Sequence, residues 1–111
     1  MSAIALAWVH LLIAGAFEVA TTTTYRYTEG LSRIGPTVVF FALGIASFFF
    51  LNRALATIPI GTAYAVWTGI GAAGTALVGI AFYGEPATTA RLVLLTVLIG
   101  SIMGLKLVSA D

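Results

Sequence analysis

The chain has 111 residues, 60% of them hydrophobic and 8% charged. Soluble domains carry roughly 25% charged residues, so this composition describes an integral membrane protein with little mass outside the bilayer. A net charge of +1 without a basic cluster excludes nucleic acid as a partner, and the lack of cysteine excludes disulfides and thiolate metal sites.

Four apolar stretches are long enough, or nearly so, to cross about 30 Å of hydrocarbon at 1.5 Å per residue. The first runs over about residues 3–25, and no cleavable signal is expected, because a basic n-region is lacking and the apolar run continues too far. Glu18 lies deep within it and is the one acid so placed. An acidic side chain at a span centre costs about 2.5–3.5 kcal/mol on insertion scales and usually faces a bundle interior or a wet cavity. Burial as a neutral or paired carboxylate is the structural alternative, but no Lys or Arg lies at comparable depth. Glu18 therefore reads as functional.

At helical spacing Glu18 shares a face with Leu11, Ala14, Gly15, Thr21, Thr22 and Tyr25. The small Ala14 and Gly15 leave space one turn before the carboxylate. Thr21 and Thr22 place hydroxyls one turn after it, although threonines in a helix also bond back to their own carbonyls. His10 lies about 80° off this face and reads as a packing or interfacial residue. Trp8, near the start of the span, fits an interfacial aromatic belt.

The second stretch is placed at residues 37–52, after the polar loop Arg26–Arg33 and the pair Gly35-Pro36. The third, residues 60–83, contains no charge and many small residues, which let helices approach closely in a bilayer. A bend near Gly69–Gly71 is expected there. Tyr64 and Trp67, at i and i+3, present two aromatic rings on one side. Such rings bind cations through their π-faces, and Trp67 is too deep for a belt position. The fourth stretch, residues 92–108, carries Thr96, Gly100 and Gly104 at intervals of four, a pattern that supports helix dimerisation.

Basic charge is nearly balanced across the membrane. Arg53 and Lys106 fall on one side and Arg26, Arg33 and Arg91 on the other, so the positive-inside preference barely selects an orientation. No catalytic or metal-ligand constellation is visible, and neither an enzyme nor a cofactor is expected.

With Glu18, Tyr64, Trp67 and four spans in place, the chain resembles the small multidrug resistance family of proton-coupled transporters. The resemblance covers nearly the whole chain. It is carried by Phe17-Glu18-Val19, by Tyr27–Arg33, by Pro59–Gly71 and by Gly104–Leu107. It implies an all-α integral membrane protein of four transmembrane helices, assembled as an antiparallel dual-topology homodimer. In it the two membrane glutamates exchange protons for organic cations across the cell's inner (plasma) membrane. Partners are then the bilayer, protons, the cation and a second copy of the chain.

The runs Gly61–Gly71 and Gly104–Leu107 are similar to the guanidinium exporters of that family. That subtype has a tryptophan three residues after the glutamate and a serine in the second helix facing the site. The corresponding positions are read here as Thr21 and Ala46. On this reading the polar network is lost, and the expected cargo shifts to quaternary ammonium ions and substituted guanidiniums. The alternatives are a guanidinium-selective exporter, a non-transporting assembly subunit, or a heterodimer with a paralogous chain.

Overall fold

The structure is a computed structural model that describes residues 1–109. Among the described residues it contains four helices, α1 (Ala3–Tyr25), α2 (Ile34–Ala54), α3 (Ile60–Phe82) and α4 (Thr89–Val108), each long and apolar enough to cross a membrane.

The helix boundaries follow from local chemistry. The Ser2 hydroxyl accepts from the Ala5 N–H and starts α1. The helix ends in a turn built on buried Thr28, whose hydroxyl donates to the Tyr25 carbonyl and accepts from the Leu31 N–H. Glu29, Gly30 and Leu31 all take positive φ in this turn, which reverses the chain within a few residues. Helix α2 then begins at Ile34, three residues before the start expected from sequence. Pro36 fits within its first turn, where a missing N–H costs nothing. Pro59 caps α3. Helix α4 also begins earlier than expected, because Thr88 caps it through the Arg91 N–H. Helix α3 continues through Gly69–Gly71 as one helix.

The packing is uneven. Helix α1 lies against both α2 and α3, α2 scarcely touches α3, and α4 packs on α3 alone. Between α1 and α2 the contact is aromatic: Phe50 stacks on Phe17 at 5.6 Å and on His10 at 5.9 Å. Between α1 and α3 it depends on missing side chains. A Cβ built on Gly71 would lie 2.7 Å from Glu18 Cγ, and one on Gly15 would lie 2.6 Å from Ile70. Gly69 admits Ile102 of α4 in the same way.

A core of Trp8, Leu11, Leu51, Ile58 and Val66 closes the end of the bundle near the start of α1. Trp8 thus belongs to the interior and not to an exposed belt. It is 4% exposed, with the Lys106 ammonium 5.3 Å from its ring centroid. By contrast, α4 has no buried residue among those described. Its outer side chains, including Val93, Val97 and Met103, are exposed. Apolar surface of this kind requires lipid or another helix against it.

Candidate functional site

Glu18 lies about two-thirds of the way along α1, where Gly71 lets α3 approach its side chain. It lines a cavity of about 560 Å³ together with Thr22, Tyr64, Trp67, Thr68, Ala72, Thr75 and Glu85. Tyr64 and Trp67 form its aromatic wall, with ring centroids 5.7 Å apart. Among the described residues the Glu18 carboxylate makes no hydrogen bond. A carboxylate beside two π-faces, in a cleft wide enough for a small organic ion, can hold a cation by charge and by ring quadrupole together.

A second, apolar cavity of about 330 Å³ reaches Glu18 from the α2 side. It is lined by Thr21, Phe40, Phe41, Gly44, Ile45, Phe48 and Trp67. Thr21 is buried, and its hydroxyl donates to the Phe17 carbonyl at 2.7 Å. Its small side chain leaves this volume open. The Thr22 hydroxyl bonds back to the carbonyls of Glu18 and Val19 and also meets Thr75 across the α1–α3 interface. Both threonines therefore combine helix back-bonding with cavity lining.

Ala46 lines neither cavity beside Glu18, and the α2 residue that reaches the site's tryptophan is its neighbour Ser47, fully buried and outside both linings. Its hydroxyl accepts from Trp67 Nε1 at 2.9 Å and donates to the Ala14 carbonyl at 2.7 Å. One side chain thus ties α1, α2 and α3 and fixes the indole plane beside the cavity. A serine of α2 therefore bonds the tryptophan beside the cavity, one position along from Ala46.

Ala14 and Gly15 are buried in helix contacts and do not line the Glu18 cavities. Ala14 supplies the carbonyl for Ser47, and Gly15 makes room for Ile70. Thr96, Gly100 and Gly104 lie on α4, away from Glu18. The Thr96 hydroxyl bonds back to Leu92, and no described atom lies within 4 Å of a Cβ built on either glycine.

Sequence reasoning passed over a polar cluster at the far end of the cavity. Glu85, in the α3–α4 loop, pairs with Arg26 and Arg91. The Arg26 guanidinium lies 4.1 Å from the Tyr83 ring centroid, and the Tyr27 and Tyr83 hydroxyls meet. The hydrogen bond from Arg26 holds the Glu85 carboxyl below its ordinary range, with Arg91 adding to the effect. The hydrogen bond with Tyr27 raises the Tyr83 phenol. Charged residues bounding two separate apolar stretches were the available signal, but the sequence does not show that the loops meet.

Four helices long and apolar enough to cross a membrane, with a carboxylate facing an aromatic wall between them, describe a multi-pass membrane protein. The profile of the family described as Small Multidrug Resistance protein matches residues 6–98. The chain belongs to the small multidrug resistance family. It is 47% identical over 102 residues to the guanidinium exporter of Citrobacter freundii, covering 92% of this chain and 97% of that one. To the guanidinium exporter of Yersinia pestis it is 46% identical over 104 residues, covering 94% of this chain and all of that one. The membership makes it an exporter by class and fits the absence of an enzymatic reading.

Proposed function

We propose that the protein exports guanidinium-type cations in exchange for protons, with Glu18 carrying one or the other. The observation that carries this reading is the bond chain from Trp67 Nε1 through Ser47 to the Ala14 carbonyl. It fixes an aromatic plane beside a carboxylate, which suits a flat cation with N–H donors in its plane. Guanidinium can donate to Glu18 edge-on while its face lies against Trp67 or Tyr64. The relatives named guanidinium exporters support the same cargo. Because proton and cation compete for one carboxylate, exchange needs no separate coupling device.

The apolar cavity bordered by Thr21 and three phenylalanines favours an extension of this range. A guanidinium head at Glu18 would direct an alkyl or aryl substituent into it, gaining about 25 cal/mol per Å² of apolar surface buried. We therefore place substituted guanidiniums within the cargo, and quaternary ammonium ions behind them because they cannot donate to the carboxylate.

An inner-membrane, antiparallel homodimer is the assembly this reading uses. Its supports are the near balance of Arg53 and Lys106 against Arg26, Arg33 and Arg91, and the unfilled Gly100 and Gly104 face of α4. Two opposed copies would form the inverted halves of an alternating-access carrier.

Proteoliposomes with an acidic lumen and the test cation outside test the function directly. Proton-driven uptake should be seen for guanidinium and its alkyl derivatives, exceed that of tetramethylammonium, and vanish in Glu18→Gln. Equal transport of tetramethylammonium and guanidinium would return the cargo to organic cations in general. No transport by the wild-type chain would leave an assembly subunit as the reading.

A further inference from the structure

Outside the Glu18 site, the molecule already contains one bound guanidinium: that of Arg26. Its partners are the Glu85 carboxylate and the Tyr83 ring, with the centroid 4.1 Å away. Carboxylate and aromatic face are also what Glu18, Tyr64 and Trp67 provide. The two acids line a single cavity. Along α3, Gly71 packs on Glu18 and Gly79 beneath Glu85. Eight residues of helix separate them, a rise of about 12 Å.

We propose that Glu85 and Tyr83 form a second guanidinium site at the mouth of the Glu18 cavity, occupied by the chain's own Arg26 and taken in exchange by free guanidinium-type cations. The choice of cation rests on the export reading above, while the cradle rests on this geometry. Arg91 makes the exchange possible without collapse of the loop. It is anchored on the Pro86 carbonyl at 2.6 Å and reaches Glu85 Oε1 at 3.4 Å, leaving Oε2 to Arg26. When Arg26 swings away, Glu85 stays oriented by Arg91, and Oε2 and the Tyr83 face are vacated together. The pair is about one-third exposed, so a cation can reach it from solution. A cation held there already lies in the cleft leading to Glu18.

The test removes the deep site first. Binding of radiolabelled guanidinium to the purified full chain in lipid nanodiscs is measured by equilibrium dialysis in a Glu18→Gln background. With Arg26 in place, guanidinium competes against a tethered group at millimolar effective concentration. Adding Arg26→Ala should therefore tighten apparent binding by about two- to sixfold, the range set by a part-exposed ion pair. A further Glu85→Gln should abolish it, and tetramethylammonium, which lacks N–H donors, should not compete. Without any change at Arg26, 15N-arginine spectra of the Glu18→Gln chain should show the Arg26 Nε signal move as guanidinium is added.

Absence of saturable binding in the double variant, persistence of binding after Glu85→Gln, or an unmoved Arg26 signal overturns the cradle. The export reading is judged separately, by comparing wild type with Glu18→Gln. A wild type that fails to bind at Glu18, beside a double variant that binds at Glu85, would overturn that reading alone.

Discussion

Ser47 offers a sharp test of how the site is held. The Ser47→Ala change removes both the acceptor of Trp67 Nε1 and the donor to the Ala14 carbonyl. Hydrogen bonds between membrane helices average about 0.6 kcal/mol and reach about 1.7. Two of them amount to about 1.2 kcal/mol, with an upper bound of about 3.4. The packing loss is small, since one oxygen is removed from a residue with no exposed surface. Trp67→Phe removes only the Nε1 bond, together with part of the ring.

A double-mutant cycle isolates that single bond. Its coupling energy should lie near 0.6 kcal/mol, and at most about 1.7, corresponding to about 3- to 18-fold in an equilibrium constant. The assay is reversible unfolding in mixed micelles, run beside guanidinium binding. Ser47→Ala should also weaken binding, because Trp67 borders both cavities at Glu18. Additive effects in the cycle, with no residual coupling, would refute the bond and with it the idea that α2 orients the indole.

Further perturbations separate the remaining roles. Gly71→Ala places a methyl group 2.7 Å from Glu18 Cγ, so export should fall at least as steeply as binding while membrane insertion persists, as read by transport and by protein recovered in the membrane. Gly100→Leu meets no described atom within 4 Å; it should leave the protomer's helices intact but lower the dimer fraction measured by crosslinking in liposomes. Thr21→Trp fills the apolar cavity and should reduce transport of alkylated guanidiniums more than that of guanidinium itself, measured as paired rates in one preparation. The Glu85 carboxyl is lowered from its ordinary value of 4.5 chiefly by Arg26. The folded state therefore gains from the ionised form above that value and loses the gain as pH falls through the lowered one. The pH dependence of unfolding should accordingly steepen below 4.5 in wild type and flatten there in Glu85→Gln.

The four helices were legible because each is a long apolar run, and Glu18 because charge is rare at that depth. Tyr64 and Trp67 stood out by their spacing, and both line the cavity at Glu18. Helix α2 was harder. Its run from Val38 to Leu51 is apolar on every side, so no polar face fixed its rotation, and Ser47 was passed over for its neighbour Ala46. Ser47, a lone hydroxyl in that run, was the signal that a buried polar group needs a partner. The starts of α2 and α4 were missed because their first turns mix polar residues and proline with the helix. Trp8 illustrates a further limit, since only the arrival of α3 and α4 decides whether a ring near a helix start faces lipid or core.

The division of labour among the helices has an evolutionary consequence. The cavities at Glu18 are lined from α1, α2, α3 and Glu85 of the α3–α4 loop, whereas α4 contributes no lining residue to them among those described. Substitutions along the outer side of α4 can therefore accumulate without touching the carboxylate or the rings. If α4 carries the pairing proposed above, two copies left by a gene duplication would be free to drift in whom they pair with while each keeps its cavity. Acquiring a new companion and acquiring a new cargo would then be separate mutational paths in a chain of only 111 residues.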